Sequence, residues 1–391
     1  MKIAYFHYIY GSGTPLAHVN QFSEAARNLG HEVAVHAMNL VQPSANGNGP
    51  AHAPNTRDRL KRQFSRYLHE PKELFWNMRY ARLETEILKA DRPNVAVVRS
   101  HNLTIAEVLA GRATGVPVVL EVNAPAAESL RYYDEYIHIP GAGLLTERFK
   151  LRRADHILVV SEALRDHLVE THGVAPDRIT VNHNGADPDR FSPDIDGRAV
   201  RNRYGLGDST VVGFVGSFHP WHGIDVLQAV IEALAPEGVR FMTVGEGGAS
   251  AEFKSWLDDH NLRDSVTFVG AIPHHEVPSH LAALDIGFVP DSNFYGSSLK
   301  LFEYMAAGKA SVTPAYRPFS EVVEHGKDGL LFEPRNIDDA VDCLRRLAFD
   351  GRQRGEIARA GRAKILNGYT WHHNAERVIG ACEAAVRSKA S

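Results

Sequence analysis

The segment RADHILVVSEALRDHLVETHGVAPDRITVNHNG, residues 153–185, contains the pattern that decides the fold. Residues 156–160 and 179–182 are two short runs rich in Val and Ile, each followed by polar or turn residues. Between them lies a stretch with the spacing of an amphipathic helix. Short apolar runs on either side of a helix are typical of buried parallel strands in a β-α-β unit.

The same alternation recurs along the chain. Further apolar runs occupy 2–8, 32–37, 95–99 and 117–122, and a second set begins after residue 205, at 210–215, 240–244, 265–269, 285–290 and 309–313. This repetition predicts an α/β protein with two doubly wound, Rossmann-like domains. We place one domain at 1–195, joined by a C-terminal helix at 370–391, and the other at 205–369, with a linker in the turn-rich segment 191–207. Because such sheets bind ligands beyond the carboxyl ends of their strands, we expect the chemistry in a cleft between the domains.

Composition excludes several classes of protein. The 391 residues include 43 Lys and Arg against 47 Asp and Glu, and the net charge of −4 offers no general positive field for nucleic acid. The two cysteines, Cys343 and Cys382, are too few for a disulfide framework. No run approaches the roughly 18 apolar residues of a membrane-spanning helix, and the first residues have the pattern of a strand rather than a leader. We therefore expect a cytoplasmic protein.

A phosphate site is predicted at residues 296–308, GSSLKLFEYMAAG, where a Gly-Ser turn opens a helix. Free amides and the helix dipole attract an anion, and Lys300 in the first turn adds a full positive charge. One turn further on, Glu303 can accept hydrogen bonds from the two hydroxyls of a ribose. Diphosphate next to ribose indicates a nucleotide, and the turn residues that would contact it are Gly296, Ser297, Ser298 and Leu299.

Two loops after strands of the second set support this site. Gly216 and Ser217 follow the strand at 210–215, and the absence of a side chain at Gly216 lets a ligand approach the backbone. Glu246 lies in a Gly-Glu-Gly-Gly loop after the strand at 240–244, where it can reach a nucleotide.

Gly11 and Gly13 form the matching loop after the first strand. Leu16 stands where the third glycine of a dinucleotide-binding fingerprint would be. The sequence therefore argues against a nicotinamide-dependent dehydrogenase.

Taken together, these motifs resemble the family-four retaining glycosyltransferases of GT-B architecture, over nearly all of the chain. Residues 153–164 and 179–191 form the block most similar to the family pattern, and Trp371 resembles its closing segment, where the last helix crosses back to the first domain. The resemblance implies sugar transfer from a nucleotide diphosphate donor, with retention of anomeric configuration and without an obligatory metal or other cofactor. It also implies main-chain contacts to the base near Ile272.

The donor site departs from the family pattern at two places. Tyr295 stands eight residues before Glu303, where the family usually has a Glu that contacts the donor sugar. Ser217 and His222 stand where the family's Arg and Lys grip the diphosphate. We expect Lys300 to replace these cations, with His222 as a second, pH-dependent donor and Arg317 as a third.

The acceptor domain departs as well. The family often has a His at the end of the fourth strand, and Asn123 occupies that position here. An amide can hydrogen-bond a sugar hydroxyl but cannot act as an acid or a base. His101, which ends the preceding strand, is our candidate for an acceptor or sugar contact, with a structural role as the alternative.

Three further features leave alternatives open. Residues 57–66 hold five basic residues against one acid, and 57–79 is either a solvated helix face or a contact with an anionic membrane surface or a phosphate-bearing acceptor. The Asp-x-Asp strings at 187–189 and 194–196 lie in the linker region, so we assign no metal to them. The His pairs at 274–275 and 372–373 are interpreted as surface residues.

The leading interpretation is a hexosyltransferase or N-acetylhexosaminyltransferase that uses a UDP-sugar in preference to a GDP-sugar. Its acceptor would be a hydroxyl of a small molecule, a lipid-linked sugar or a polysaccharide. The alternative is a protein of the same fold that binds a nucleotide sugar and has little transferase activity.

Overall fold

The computed structural model describes residues 1–9, 14–38, 69–128 and 141–390. The chain divides into two compact units. The first comprises Met1–Val160, Leu164–Asn182 and Asn374–Ser391, and the second comprises Ser161–Ala163 and His183–His373. The predicted basic segment 57–66 and the loop residues Gly11 and Gly13 lie outside the described residues.

The first unit is built on a six-stranded parallel sheet with the strand order β2-β1-β3-β4-β5-β6. Its strands are β1 (Lys2–His7), β2 (Glu32–Ala37), β3 (Val95–Arg99), β4 (Val118–Val122), β5 (His156–Val159) and β6 (Ile179–Val181). The helices that accompany it are α1 (Thr14–Asn28), α2 (His69–Asp91), α3 (Ala106–Thr114), α4 (Ala142–Arg153) and α5 (Glu162–His172). Strands β3, β4 and β5 are buried along nearly their whole length, as expected for a sheet covered on both faces.

The second unit repeats this architecture with the strand order β12-β11-β10-β7-β8-β9, again all parallel. Its strands are β7 (Val211–Val215), β8 (Arg240–Val244), β9 (Val266–Gly270), β10 (Ile286–Phe288), β11 (Ala310–Pro314) and β12 (Leu330–Phe332). Its helices are α6 (Arg198–Arg203), α7 (Ile224–Leu234), α8 (Ser250–Asp259), α9 (Val277–Ala282), α10 (Leu299–Ala306), α11 (Arg317–Ser320), α12 (Ile337–Phe349) and α13 (Gly351–Gly368). The last helix, α14 (Trp371–Ala390), belongs to the first unit from Asn374 onward. The structure confirms the predicted doubly wound sheets and adds β12, which the sequence analysis missed.

The segment predicted as a linker is a packed part of the second unit. Phe191, Val200 and Leu206 are all buried, and they join the hydrophobic cluster that includes residues of β7 and α10. Residues 183–195, which we had placed in the first domain, also belong to the second unit. The turn residues of 191–207 therefore connect anchoring side chains rather than two domains.

Helix α10 packs closely on the sheet because β10 carries a glycine beneath it. A Cβ on Gly287 of β10 would collide with the ring of Tyr304. The Tyr304 hydroxyl then accepts a hydrogen bond of 2.8 Å from the backbone N–H of Val215, the last residue of β7. Helix α10 is thereby fixed against the end of the central strand.

Both cysteines are buried, Cys343 in α12 and Cys382 in α14. Burial raises the pKa of the Cys343 thiol to about 11 and that of the Cys382 thiol to about 12. None of the helices in the described part of the chain is long and apolar enough to cross a lipid bilayer.

The contact between Tyr304 and Val215 can be tested through stability. Tyr304→Phe leaves the buried N–H of Val215 without its acceptor, and we expect a loss of about 1–3 kcal/mol in the free energy of unfolding. Urea denaturation followed by circular dichroism measures the change. Tyr204→Phe is the matched control, because the Tyr204 hydroxyl makes no hydrogen bond within the described ranges. An equal loss in both variants would contradict the assignment.

Candidate active site

The site of the second unit lies where its strand order reverses. From β7 the chain continues through β8 and β9 on one side, whereas β10, β11 and β12 lie on the other. The loop after β7 and the loop after β10 therefore diverge from neighbouring strands and leave a crevice at their carboxyl ends. The first loop contains Gly216, Ser217 and His222, and the second leads into α10 with Lys300 and Glu303.

Lys300 reaches from α10 to the end of β7. A Cβ on Gly216 would lie only 2.8 Å from Lys300 Nζ, so the ammonium group rests directly against the glycine backbone. The same Nζ lies 4.6 Å from the ring centroid of Phe214. Burial lowers the pKa of Lys300 to about 8, although the nearby Glu303 favours the charged form. At neutral pH the group is still mainly a cation, held at the crevice.

The start of α10 adds backbone donors to this cation. Ser298 is the N-cap residue and its side chain makes no capping hydrogen bond. The Leu301 N–H donates to the Ser298 carbonyl at 3.2 Å. The amides of Leu299 and Lys300 are therefore the ones available to an anion, as at other helix N-termini. Asn184 Nδ2 donates to the carbonyl of Ser297 at 2.6 Å and fixes the turn that precedes the helix.

Glu303 is one turn further along α10 and its side chain is only 15% exposed. Burial raises the pKa of this carboxyl to about 7, against the opposing effects of Arg190 and Lys300. His274 Nε2 lies 3.9 Å from Glu303 Oε1, and Arg190 Nη2 donates to the His274 carbonyl at 2.6 Å. Arg190 and His274 thus join the surroundings of Glu303.

The sequence did not single out either residue as a neighbour of Glu303. Arg190 lies within the family block 179–191. His274 is exposed, as predicted, and its ring also lies beside Glu303. The signal in the sequence was Asp187, whose Oδ1 accepts the N–H groups of Asp189 and Arg190 and so shapes the turn that presents Arg190. This use of Asp187 also explains the first Asp-x-Asp string without a metal.

His222 has a different role from the one predicted. Its Nδ1 lies 2.5 Å from the carbonyl of Ser217, which fixes the tautomer with the proton on Nδ1. Burial, followed by the charge of Lys300, lowers the pKa of His222 to about 3. The imidazole is therefore neutral across the physiological range, and the expectation that it supplies a second positive charge is wrong. Its Nε2 is available as a hydrogen-bond acceptor instead.

Tyr295 is a buried residue at the position where the family has a carboxylate. It is 4% exposed, its ring packs edge-on against Phe294, and its carbonyl accepts a hydrogen bond of 2.7 Å from Ser161 Oγ. Asn293 Oδ1 accepts the N–H groups of both Tyr295 and Gly296 and closes the turn. The contact of Tyr295 with a donor sugar stays a prediction.

Glu246 and Ile272 lie at the carboxyl ends of β8 and β9. The Glu246 carboxylate lies over Gly270, where a Cβ would be 3.3 Å from Oε1. Ile272 is half-buried against the core. Arg317, the predicted third cation, lies 3.4 Å from Glu321 and begins α11.

The predicted acceptor residues belong to the first unit. Asn123 follows β4 and donates through Nδ2 to Glu121 at 2.8 Å. His101 follows β3, its Nδ1 lies 3.0 Å from the Asn102 carbonyl, and its ring lies 5.7 Å from that of Tyr8. Both residues are at the carboxyl edge of the first sheet.

Two other predictions concern the surface and metals. Of the segment 57–79, Phe75 and Met78 in α2 have exposed side chains. In the second Asp-x-Asp string, Asp194 accepts from Ser192 and Asp196 pairs with Arg198. Within the described parts of the chain, no group of three or more His, Cys, Asp or Glu side chains is placed to hold a metal ion.

Two doubly wound parallel sheets with flanking helices are the architecture of the GT-B fold, which the structural neighbours of this chain share. The model of the family described as Glycosyl transferases group 1 matches residues 209–350, and that described as Glycosyltransferase Family 4 matches residues 17–190. The chain belongs to the family-four glycosyltransferases.

Individual relatives agree with this assignment. The D-inositol 3-phosphate glycosyltransferase of Stackebrandtia nassauensis is 30% identical over 75% of this chain and 69% of its own length. The GDP-mannose-dependent alpha-(1-6)-phosphatidylinositol monomannoside mannosyltransferase of Mycobacterium tuberculosis is 27% identical over 56% of this chain and 58% of its own. Among solved structures, HepE of Anabaena in complex with UDP has a TM-score of 0.72 at 18% identity, covering 97% of this chain and 99% of that one.

The predicted contact of Glu303 with a nucleotide can be tested by replacing this residue. Glu303→Ala should weaken the binding of UDP or GDP by about 1.5–3 kcal/mol, because a charged acceptor of hydrogen bonds is lost. Titration calorimetry measures the affinity, and Glu356→Ala, on the exposed face of α13, is the control. Unchanged affinity in Glu303→Ala would remove this residue from the site.

The pKa values of the two side chains predict how nucleotide binding depends on pH. A diphosphate favours charged Lys300, so affinity should fall as the pH rises above about 8, the pKa of the free protein. Ribose hydroxyls favour ionised Glu303, so affinity should also fall as the pH drops below about 7. In Lys300→Arg the guanidinium stays charged, and the alkaline decline should disappear. Calorimetric titrations between pH 6 and 9.5 test this, and an unchanged alkaline decline in the variant would contradict it.

Proposed function

We propose that this glycosyltransferase transfers a hexosyl or N-acetylhexosaminyl group with retention of configuration and without an obligatory metal ion. The donor is a nucleotide diphosphate sugar, a UDP-sugar in preference to a GDP-sugar. The acceptor is a hydroxyl of a small molecule, a lipid-linked sugar or a polysaccharide. We place this activity in the cytoplasm.

The observation that carries the proposal is the position of Lys300 against Gly216, next to the first turn of α10. A diphosphate in the crevice would meet the full positive charge of Lys300 and the backbone N–H groups of Leu299 and Lys300. Glu303, one turn along, is then at the distance of the adjoining ribose, whose vicinal hydroxyls a carboxylate can accept.

Lys300 also suits the chemical step. Breaking the bond between the sugar and the diphosphate leaves additional negative charge on the leaving oxygen. Donors that are already fixed around that position are usually the largest contribution to catalysis. Lys300, clamped between Gly216 and Phe214, needs little reorganisation to meet this charge.

The other residues of the crevice have supporting roles in the proposal. Neutral His222 would accept a hydrogen bond from a donor hydroxyl through Nε2, and Ser217 and Gly216 would border the diphosphate. Glu246 and the backbone at Ile272 would face the base. In the first unit, Asn123 and His101 would contact the acceptor or the transferred sugar.

Relatives support both candidate donors. HepE was solved with UDP, and the mycobacterial mannosyltransferase is named for GDP-mannose. The panel that separates the donors consists of UDP-glucose, UDP-N-acetylglucosamine, GDP-mannose and GDP-glucose, with release of UDP or GDP as the readout. Release from a UDP-sugar supports the proposal, and release from GDP-sugars alone would contradict the donor preference. Tight binding without any release would instead favour a nucleotide-sugar-binding protein.

Lys300→Ala should lower kcat more than it raises KM for the donor, because its charge meets a charge that grows in the transition state. Steady-state kinetics with the donor identified by the panel measure both constants. Equal kcat in the variant and the unchanged protein would refute the role.

Gly216→Ala should lower kcat as well, because it displaces the Lys300 side chain. The added Cβ would lie 2.8 Å from Lys300 Nζ and must displace it, so the kinetic defect should resemble that of Lys300→Ala. Gly248→Ala is the matched control, because a Cβ there meets no atom within 4 Å. Normal kinetics in Gly216→Ala would show that the close approach is dispensable.

A further inference from the structure

The first sheet has its own switch point, and a polar cluster lies there. The chain runs from β1 to β2 on one side and from β3 onward on the other. Arg99 is the last residue of β3 and pairs in register with Glu121 of β4. We call Tyr5, His18, Arg99, Glu121 and Asn123 the Arg99 cluster. Of this set, the proposed function gives a role only to Asn123, as a contact to the acceptor or the transferred sugar.

Glu121 is the buried centre of the Arg99 cluster. Its Oε1 accepts hydrogen bonds from Arg99 Nη1 at 2.6 Å and from Asn123 Nδ2 at 2.8 Å, and its Oε2 accepts one from the Tyr5 hydroxyl at 2.7 Å. Burial opposes ionisation, but His18, Arg99 and the hydrogen bonds outweigh it and lower the pKa of Glu121 to about 2. A fully ionised carboxylate thus holds both Arg99 and Asn123 in place.

The positive charge of the cluster belongs to Arg99. Burial lowers the pKa of His18 to about 4, so its imidazole is neutral near pH 7. His7, the last residue of β1, is also buried, and burial together with Arg99 lowers its pKa. Neither imidazole therefore competes with the Arg99 guanidinium, as a second cation, for an anion.

One edge of the Arg99 guanidinium remains to be satisfied. Nη1 contacts Glu121 and lies 3.3 Å from His18 Nδ1, whereas Nε and Nη2 have no acceptor in the described part of the chain. The side chain is 17% exposed, so this edge is neither sealed in the core nor free in solvent. Nε–H and Nη2–H point in parallel, which matches two oxygens of a phosphate or carboxylate.

We propose that Arg99 and Asn123 form an acceptor subsite that binds a phosphate group carried by the acceptor. This inference rests on the proposed function, since it assigns the chemistry of the second substrate. Glu121 is a positioning residue, because it holds both donors from behind and leaves the Nε–Nη2 edge of Arg99 to the ligand. The N-terminus of α1, which follows β1 at the same sheet edge, adds a favourable dipole.

The subsite is tested on the whole protein with the donor site filled by UDP or GDP. Titration calorimetry measures the binding of three soluble ligands: inorganic phosphate, D-inositol 3-phosphate and uncharged myo-inositol. Cosedimentation with phosphatidylcholine vesicles, with and without phosphatidylinositol, measures the binding of a lipid-borne phosphate. We expect binding of a phosphate-bearing probe but not of myo-inositol, and the soluble and vesicle arms identify the source of the phosphate.

Two variants of Arg99 connect binding to the residue. Arg99→Gln should weaken the binding of the phosphate-bearing probe by about tenfold or more, because charge-assisted hydrogen bonds are lost. Arg99→Lys keeps a positive charge next to Glu121, so the fold is protected, but it lacks the parallel donors and should also bind about tenfold more weakly. Arg82→Gln, on the exposed face of α2 where Arg82 pairs with Glu86, is the matched control.

Loss of phosphate binding in both Arg99 variants, with UDP or GDP binding unchanged, supports the subsite. Unchanged phosphate binding in the variants, or none in the unsubstituted protein, overturns it. The binding of UDP and GDP to the unsubstituted protein is measured before any phosphate is added. Absence of this binding would contradict the proposed function rather than the subsite.

Discussion

The close approach between Lys300 and Gly216 is the constraint on which the proposed donor site depends. An ammonium group can rest against the end of β7 only because residue 216 has no side chain, and α10 is held in place by the packing of Tyr304 on Gly287 and by its hydrogen bond with Val215. Moving a lysine into this position has a cost, seen in its lowered pKa, since water is replaced by Phe214 and by neutral His222. An anionic ligand would recover that cost. The site is therefore prepared for a ligand rather than satisfied without one.

Most of the fold could be predicted from the sequence because buried parallel strands are recognisable as local runs of apolar residues. Continuous runs of Val, Ile and Phe are visible in the sequence without knowledge of tertiary contacts. Strand β12 escaped because Leu330–Phe332 is only three residues long. The segment 191–207 was misinterpreted for a related reason: its anchors Phe191, Val200 and Leu206 are widely spaced among polar residues, and their burial is created by the partners that they meet.

In the candidate site, too, residues close together in the sequence could be predicted, whereas contacts between distant residues could not. Lys300 and Glu303 could be proposed from the sequence because both belong to one short helix whose N-terminal chemistry is local. Arg190 and His274 are 84 residues apart and meet only in three dimensions. The protonation of His222 was misjudged since an imidazole in solution titrates near neutrality, whereas here burial and a neighbouring cation keep it neutral. Residue type can be read from a sequence, but the environment that sets its charge cannot.

The two native thiols have a practical consequence for studying this enzyme. Cys343 and Cys382 lie in the interior, and their thiolate forms are scarce at neutral pH. Because maleimides and iodoacetamides react with the thiolate, both side chains should be inert toward them in the folded protein. A fluorophore or spin label could then be attached to one added surface cysteine alone, without first replacing Cys343 and Cys382.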